Sequence, residues 1–277
     1  MGRVTKSRTA ALALAGFAAL SGACNDDKRA RSDPPRELDV ETARAAEDEP
    51  GEQHPIVELE GSGLRLDGKS LASTSAIARG TAPSKIEELY QALKVRREGW
   101  KQAHPGATFP GVVGIRIVGG LSVVVFKSVF QTAAYAGYPY VSVQGLGGRD
   151  DIVDLSAQIP GPPRMSDDPE PKPEPMVLHT HLAGETARLV WSRGNVDHVE
   201  NLVSLGALAA TACEGWSARG EHKDPTDPLA DKAVLHASND DPSATLRPLS
   251  DALLSCKRRF PDSAEPQPVF ALTFAMK

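Results

Sequence analysis

Residues 56–71 read IVELEGSGLRLDGKSL, and the fold is decided there. Val57 and Leu59 alternate with Glu58 and Glu60, a Gly61-Ser62-Gly63 turn follows, and Leu64 and Leu66 alternate around Arg65 before Asp67-Gly68. A period of two sends successive side chains to opposite faces, so the stretch predicts a β-hairpin with one apolar face. Downstream, Ser84 and Glu87 have the spacing of a capping box ahead of Ile86, Leu89, Tyr90, Leu93 and Trp100, an amphipathic helix. Val113, Ile115 and Ile117 make a strand, Phe126, Val129, Phe130 and Ala133 a second helix stopped near Gly137, and Val141 with Val143 a last strand. The order is ββαβαβ.

The C-terminal part repeats that order. Val177 to Leu182 and Ala187 to Trp191 read as a hairpin around Ala183-Gly184, and Leu202, Gly206, Ala209, Cys213 and Trp216 as a helix face. Ala233 to Ala237 is a strand, Pro242 opens a helix striped by Leu246, Leu249, Leu253 and Cys256, and Phe270, Leu272 and Phe274 close with a strand. The loop from Gly220 to Asp231 reads as an insertion. Between the blocks, 160–175 (PGPPRMSDDPEPKPEP) tends to extended polyproline structure. The expected fold is therefore α+β, with two ββαβαβ modules over 54–148 and 176–277 joined by a semi-rigid linker over 149–175.

Ahead of the first module, residues 1–23 read as an address. Arg3, Lys6 and Arg8 precede an uncharged stretch from Ala10 to Leu20, and Ser21, Gly22 and Ala23 stand immediately before Cys24. This is a secretory signal ending in a lipobox-like site, with an ordinary cleaved signal as the alternative. The stretch is short of the ~20 apolar residues that span a bilayer. Residues 24–53 are charged, Pro-containing and without hydrophobic period, which predicts a disordered tether. Such a chain has an r.m.s. span of about 30 Å and extends to roughly 95 Å. Lipidation at Cys24 would place the protein on the periplasmic side of a bacterial membrane.

Charge and cysteine usage narrow the function. With 31 Lys+Arg against 36 Asp+Glu, a net charge of −5 and 5% aromatic residues, the chain lacks the basic, aromatic-rich surface of a nucleic-acid binder. Of three cysteines, Cys24 is assigned to lipid, leaving Cys213 and Cys256 on the inward faces of two helices. In an exported protein these form a disulfide, with two buried free thiols as the alternative.

Four motifs bear on chemistry. Gly63 to Ser70 (GLRLDGKS) matches the phosphate-loop pattern with Lys69 and Ser70 in the phosphate and metal positions. That chemistry needs a buried strand before the loop and a helix starting at the lysine, whereas Leu64 and Leu66 keep strand spacing through the loop, so a hairpin with an Asp67-Gly68 turn is expected. His179 and His181 share one strand face, with His236 on a neighbouring strand as the third ligand a metal would want. Leu178, Thr180 and Leu182 form the inward face, which predicts an exposed histidine pair. Gly145, Gly147 and Gly148 lack the helix of a dinucleotide site, and Asp150, Asp151 and Asp154 read as a solvated charge run. No catalytic residue and no cofactor is predicted.

The IVELEGSGLRLDGKSL hairpin, the IEELYQAL helix and the strand-helix-strand GVVGIRIVGGLSVVVFKSVFQTAAYAGYPYVSV resemble the periplasmic domain of the ExbD/TolR family. The likeness covers roughly Pro55 to Gly145 and, more faintly, Met176 to Lys277. It implies two helices on one face of a small sheet, a homodimer, and service to envelope machines driven by the proton gradient, with some members binding the cell wall. The family's proton-coupling carboxylate lies in a transmembrane helix, and the only apolar segment here is short and acid-free. The resemblance therefore implies a non-catalytic binding or accessory module, with peptidoglycan or an envelope protein complex as partner and the membrane reached through the lipid. The rival reading is an exported metal-dependent hydrolase using His179 and His181.

Overall fold

The alternation predicted for residues 56–66 is realised in two adjacent strands, β1 (Ile56–Glu60) and β2 (Leu64–Leu66), paired antiparallel with Val57 opposite Leu66 and Leu59 opposite Leu64. All four of these side chains are buried. The computed structural model describes residues 54–148, 151–157, 174–194, 196–261 and 263–276, with the backbone alone described over 196–201. The readings placed on residues 1–53, including Cys24, and most of the 149–175 linker lie outside the described residues.

The Asp67-Gly68 hairpin turn expected in place of a phosphate loop is present and adds a third strand that the ββαβαβ order did not count. Asp67 (φ 49°) and Gly68 (φ 78°) both take positive φ, the requirement of a type I′ turn, and return the chain into β3 (Lys69–Ala72) beside β2. After the short helix α1 (Thr74–Ala78) and α2 (Glu87–Ala103), β4 (Val112–Val118) runs parallel to β1. Helix α3 (Val123–Tyr135) leads to β5 (Tyr140–Gln144), parallel to β4, and β6 (Ile152–Ser156) closes the sheet antiparallel to β5. The sheet order is β3-β2-β1-β4-β5-β6.

The second sheet is built from β7 (Val177–Ala183), β8 (Thr186–Arg193), β9 (Val196–Ser204), β10 (Asp231–His236) and β13 (Phe270–Phe274). Its order, β13-β10-β7-β8-β9, is the first sheet's order with β6 omitted. Helices α4 (Leu205–Arg219) and α5 (Leu246–Leu254) connect its parallel strands, and a small antiparallel pair, β11 (Lys257–Arg258) with β12 (Gln267–Pro268), precedes β13. The architecture is thus α+β with two mixed sheets, of six and five strands. Neither meander is the two-stranded hairpin of the expected ββαβαβ order.

Three further expectations are corrected. The α2 helix begins at Glu87, and Ser84 does not cap it. Instead, the Ser84 and Ile86 amides donate to Ser128 Oγ (3.1 Å) and Thr132 Oγ1 (3.0 Å) on α3, so tertiary partners replace the local cap. Leu202 belongs to β9 and is exposed, because the strand persists to Ser204 before α4 starts. Pro242 precedes one 3₁₀ turn, Ser243–Thr245, and the α-helix follows.

Each sheet carries its helices on one face. Val57, Leu59, Val113, Ile115, Val141 and Val143 meet Leu89 and Leu93 of α2 and Phe126, Val129 and Phe130 of α3 in a core that also includes Leu178, Leu189, Trp191, Leu235, Leu249 and Leu253 of the second sheet and its helices. The junction runs through α3, which is buried on nearly every side. Val123 and Val124 donate their amides to Asp241 O (2.8 Å) and Asn239 O (3.0 Å), and the Ser243 amide donates to Leu121 O (2.6 Å). Fully buried Lys127 donates to Ala237 O (2.9 Å) and Asn239 Oδ1 (3.2 Å), while Phe126 and Phe130 turn against the Phe274 ring. At the far end of the junction Arg247, itself buried, pairs with Asp151 and Asp251. Burial holds the Lys127 ammonium below the ordinary lysine range, with Asp241 partly offsetting it.

Cys213 on α4 and Cys256 just past α5 stand at disulfide distance, their Cα atoms 5.4 Å apart across a sequence separation of 43. Reduction is expected to lower stability by about 4 kcal/mol, the loop-entropy value for that span, read from urea midpoints with and without reductant. Gly145 has φ +81°, and a Cβ there would lie 2.1 Å from the Ile117 carbonyl oxygen. Gly145→Ala is expected to cost at least about 2 kcal/mol in the same measurement, since both the left-handed backbone and the collision oppose it.

Candidate functional site

On β7, Leu178 and Thr180 point into the core, so His179 and His181 emerge on the opposite face of the second sheet. Parallel pairing with β10 sets His181 opposite His236 and His179 opposite Val234. The three imidazoles expected from the sequence therefore do meet, but half-buried and in contact, where an exposed pair was expected. His179 Nδ1 lies 2.9 Å from His236 Nε2, a hydrogen bond in which one ring carries the proton. His181 stacks on His236 with ring centres 4.0 Å apart and planes 18° off parallel.

Burial, reinforced by His181, His179, Lys127 and Arg188, pushes His236 down to about 3, so the ring is neutral at physiological pH. His181 is lowered as well, by burial and then by Arg188 and His179. The arrangement is wrong for a metal. A zinc ion needs nitrogen lone pairs converging at about 2.1 Å, whereas stacked rings direct theirs side by side and the His179–His236 pair is closed on itself. Among the described residues no group of three or more His, Cys, Asp or Glu is placed to hold a metal ion.

The phosphate-loop pattern is likewise spent on structure. Lys69 and Ser70 open β3 and no helix begins there, so backbone amides that would cradle a phosphate are committed to the sheet. Gly147 and Gly148 lie in a 3₁₀ turn after β5. Of the acidic run, Asp151 pairs with Arg247 across the junction and Asp154 sits on β6, accepting from Ser142 Oγ (2.8 Å); Asp150 lies outside the described residues.

What sequence reading missed is a knot around Asp231. Its buried carboxylate accepts from Trp216 Nε1 (2.7 Å), the Glu221 amide (3.0 Å) and the His222 amide (3.2 Å). Arg258 donates to the carbonyls of Asp224, Asp227 and Leu229 and lies over the Phe260 ring. His222 meets Asp227 at 2.8 Å; burial works to raise Asp227, and the His222 and Leu229 hydrogen bonds hold it below the usual carboxylate range. Apart from Arg258 Nε, which is buried without a hydrogen-bond partner, these groups bond mainly to one another and fix the 220–231 loop, so the knot reads as structural. Acidic residues inside a presumed insertion gave no periodic signal for it.

The remaining surface of chemical interest is the helix-free face of the first sheet. Across β1, β4 and β5, Arg116 bonds Glu58 (3.1 Å) and Gln144 (3.3 Å); Arg65 of β2 pairs with Glu60 (3.1 Å) at the same face. Ionic and amide groups thus form continuous rows, with Arg116 and Arg65 each nearly half exposed.

No family model and no curated protein matches the chain. Among solved structures it is similar to the Aquifex aeolicus PPX-GPPA enzyme, at 12% identity over 66% of this chain and 67% of that one, with a TM-score of 0.19. A likeness that distant carries no argument about fold or activity.

Purified protein incubated with zinc and dialysed is expected to hold well under one equivalent by elemental analysis. A full equivalent that disappears in His236→Ala would contradict the non-converging geometry of the three rings.

Proposed function

We propose that this chain is a lipid-anchored, non-catalytic accessory protein of the bacterial cell envelope, made of two modules related to the ExbD/TolR periplasmic domain. The anchor is the Cys24 lipid, and the partner is peptidoglycan or an envelope protein complex. The reading rests on the family resemblance of the first module. It is supported by the two helices on one face of each sheet and by the strand order that the two sheets share, which favours an internal duplication.

The observation that carries the binding role is the polar face of the first sheet. Glu58, Arg116, Gln144, Ser142 and Asp154 offer donors and acceptors in fixed rows on a rigid support, and among the described residues no helix covers them. A surface of that kind suits a partner rich in amides, carboxylates and hydroxyls, as the sugars and peptide stems of a cell wall are. The sheet holds these groups in place before binding, so little ordering entropy is lost on contact.

The mature chain is expected to co-sediment saturably with purified peptidoglycan, an unrelated periplasmic protein serving as control. Arg116→Glu, which sets a carboxylate against Glu58, is expected to weaken pelleting at least about fivefold. Wild-type protein that stays in the supernatant would discard the wall as partner and leave an envelope protein, to be sought by crosslinking in cells.

A further inference from the structure

His236 is the last residue of β10, and the loop that follows is the one that holds α3. Ala237 O and Asn239 Oδ1 accept from Lys127, and Asn239 O and Asp241 O receive the first amides of α3. The loop is short and internally tied, with the Ser238 amide donating to Asp241 Oδ2 (3.0 Å) and the Asp241 amide to Ser238 O (3.2 Å). A displacement of His236 is therefore transmitted directly to the carbonyls that seat the helix.

We propose that the His179–His181–His236 cluster is an acid-sensitive latch on this junction: when His236 takes a proton, its bond to His179 is lost and loop 237–241 releases the N-terminus of α3. The physical reason is the company the ring keeps. Its bond to His179 needs one N–H and one lone pair, so an added proton on the accepting ring sets two N–H groups against each other. His181, stacked above it, lies opposite Arg188 of β8. Lys127 reaches in from α3, and Lys232 stands two same-face positions back along β10, beyond Val234. The charges acting on His236 are all cationic, while Asp241 of the loop acts on Lys127. On β13 the residues of this face are Ala271 and Thr273, which bear no charge. Among the described residues the charges acting on the ring oppose a charged imidazolium in the closed arrangement, and water solvates it in the open one.

The sign follows from the depressed titration of the closed state. Opening restores the ordinary value of 6.5, so the open state binds more protons below that pH, and closure is progressively lost as pH falls from neutrality. From His236 alone, the open fraction rises about thirtyfold between pH 7.5 and pH 5, a figure set by the open-state value.

Hydrogen exchange of the full chain tests this, with protection of the Val123 and Val124 amides corrected for the intrinsic pH dependence. Protection is expected to fall by about thirtyfold between pH 7.5 and pH 5 in the wild type. The Tyr90 amide, within α2, is expected to keep its protection. His236→Phe, which keeps a flat ring and cannot be protonated, is expected to abolish the fall; His236→Gln, which retains a hydrogen bond to His179 and stays neutral, serves equally if the phenylalanine prevents folding. Unchanged protection in the wild type, an equal fall in the neutral variant, or a Tyr90 amide that falls in step would each overturn the latch.

Discussion

The structure depends on how the N-terminus of α3 is satisfied. Every α-helix leaves its first amides without intrahelical partners, and a side chain at the N-cap commonly supplies one. Ser122 occupies that position and makes no capping bond; carbonyls from loop 237–241 of the second module receive the Val123 and Val124 amides. Lys127, the only charged residue between 123 and 135, is bonded to the same loop by neutral oxygens. A buried ammonium without such acceptors would be strongly destabilising, so the helix is compatible with one seating only. Two half-covered sheets are thereby made into one body.

That seating also explains the composition of α3. VVVFKSVFQTAAY has apolar residues on all sides, which as an isolated surface helix would leave a hydrophobic stripe in water. One side packs on the first sheet, another meets Phe274, and Ser128 and Thr132 turn toward the 84–86 segment to receive its amides. The buried polar residues of the helix mark two hydrogen-bonded contacts, Lys127 with loop 237–241 and Ser128 and Thr132 with the 84–86 segment, and a different register would break both.

Much of this was legible in residues 56–66, where alternation named the four buried side chains of β1 and β2 correctly. The Asp67-Gly68 turn was legible too, as the dipeptide a type I′ turn prefers, but Lys69 to Ala72 is short and half polar and was not counted in the ββαβαβ order. The Ser84–Glu87 box failed for a different reason: its spacing was right, but the amides it would have served were claimed by α3, forty-odd positions away. Leu202 shows a local ambiguity. Strand period and helix period overlap where β9 runs straight into α4, and only the pairing with β8 decides between them. The histidines could be placed on one face from sequence, but whether they converge on an ion or stack on one another depends on side-chain angles that periodicity does not encode.

The two sheets share a strand order yet differ in what their helix-free faces carry, and that difference is chemical. In the first sheet the register sets Glu58 against Arg116 as an ion pair, and in the second it sets His179 against Val234 and His181 against His236. The first face is ionic, its guanidinium groups bonded to Glu58, Glu60 and Gln144 within and across the strands. On the second face burial shifts His181 and His236 toward the neutral form, with Arg188 as a cationic neighbour of both. One face thus carries ion pairs and the other imidazoles in contact with one another. Because β10 runs directly from His236 into the loop that seats α3, the histidine face is joined to the junction through the chain itself, whereas the paired charges of the first face lie on strands that do not enter that loop.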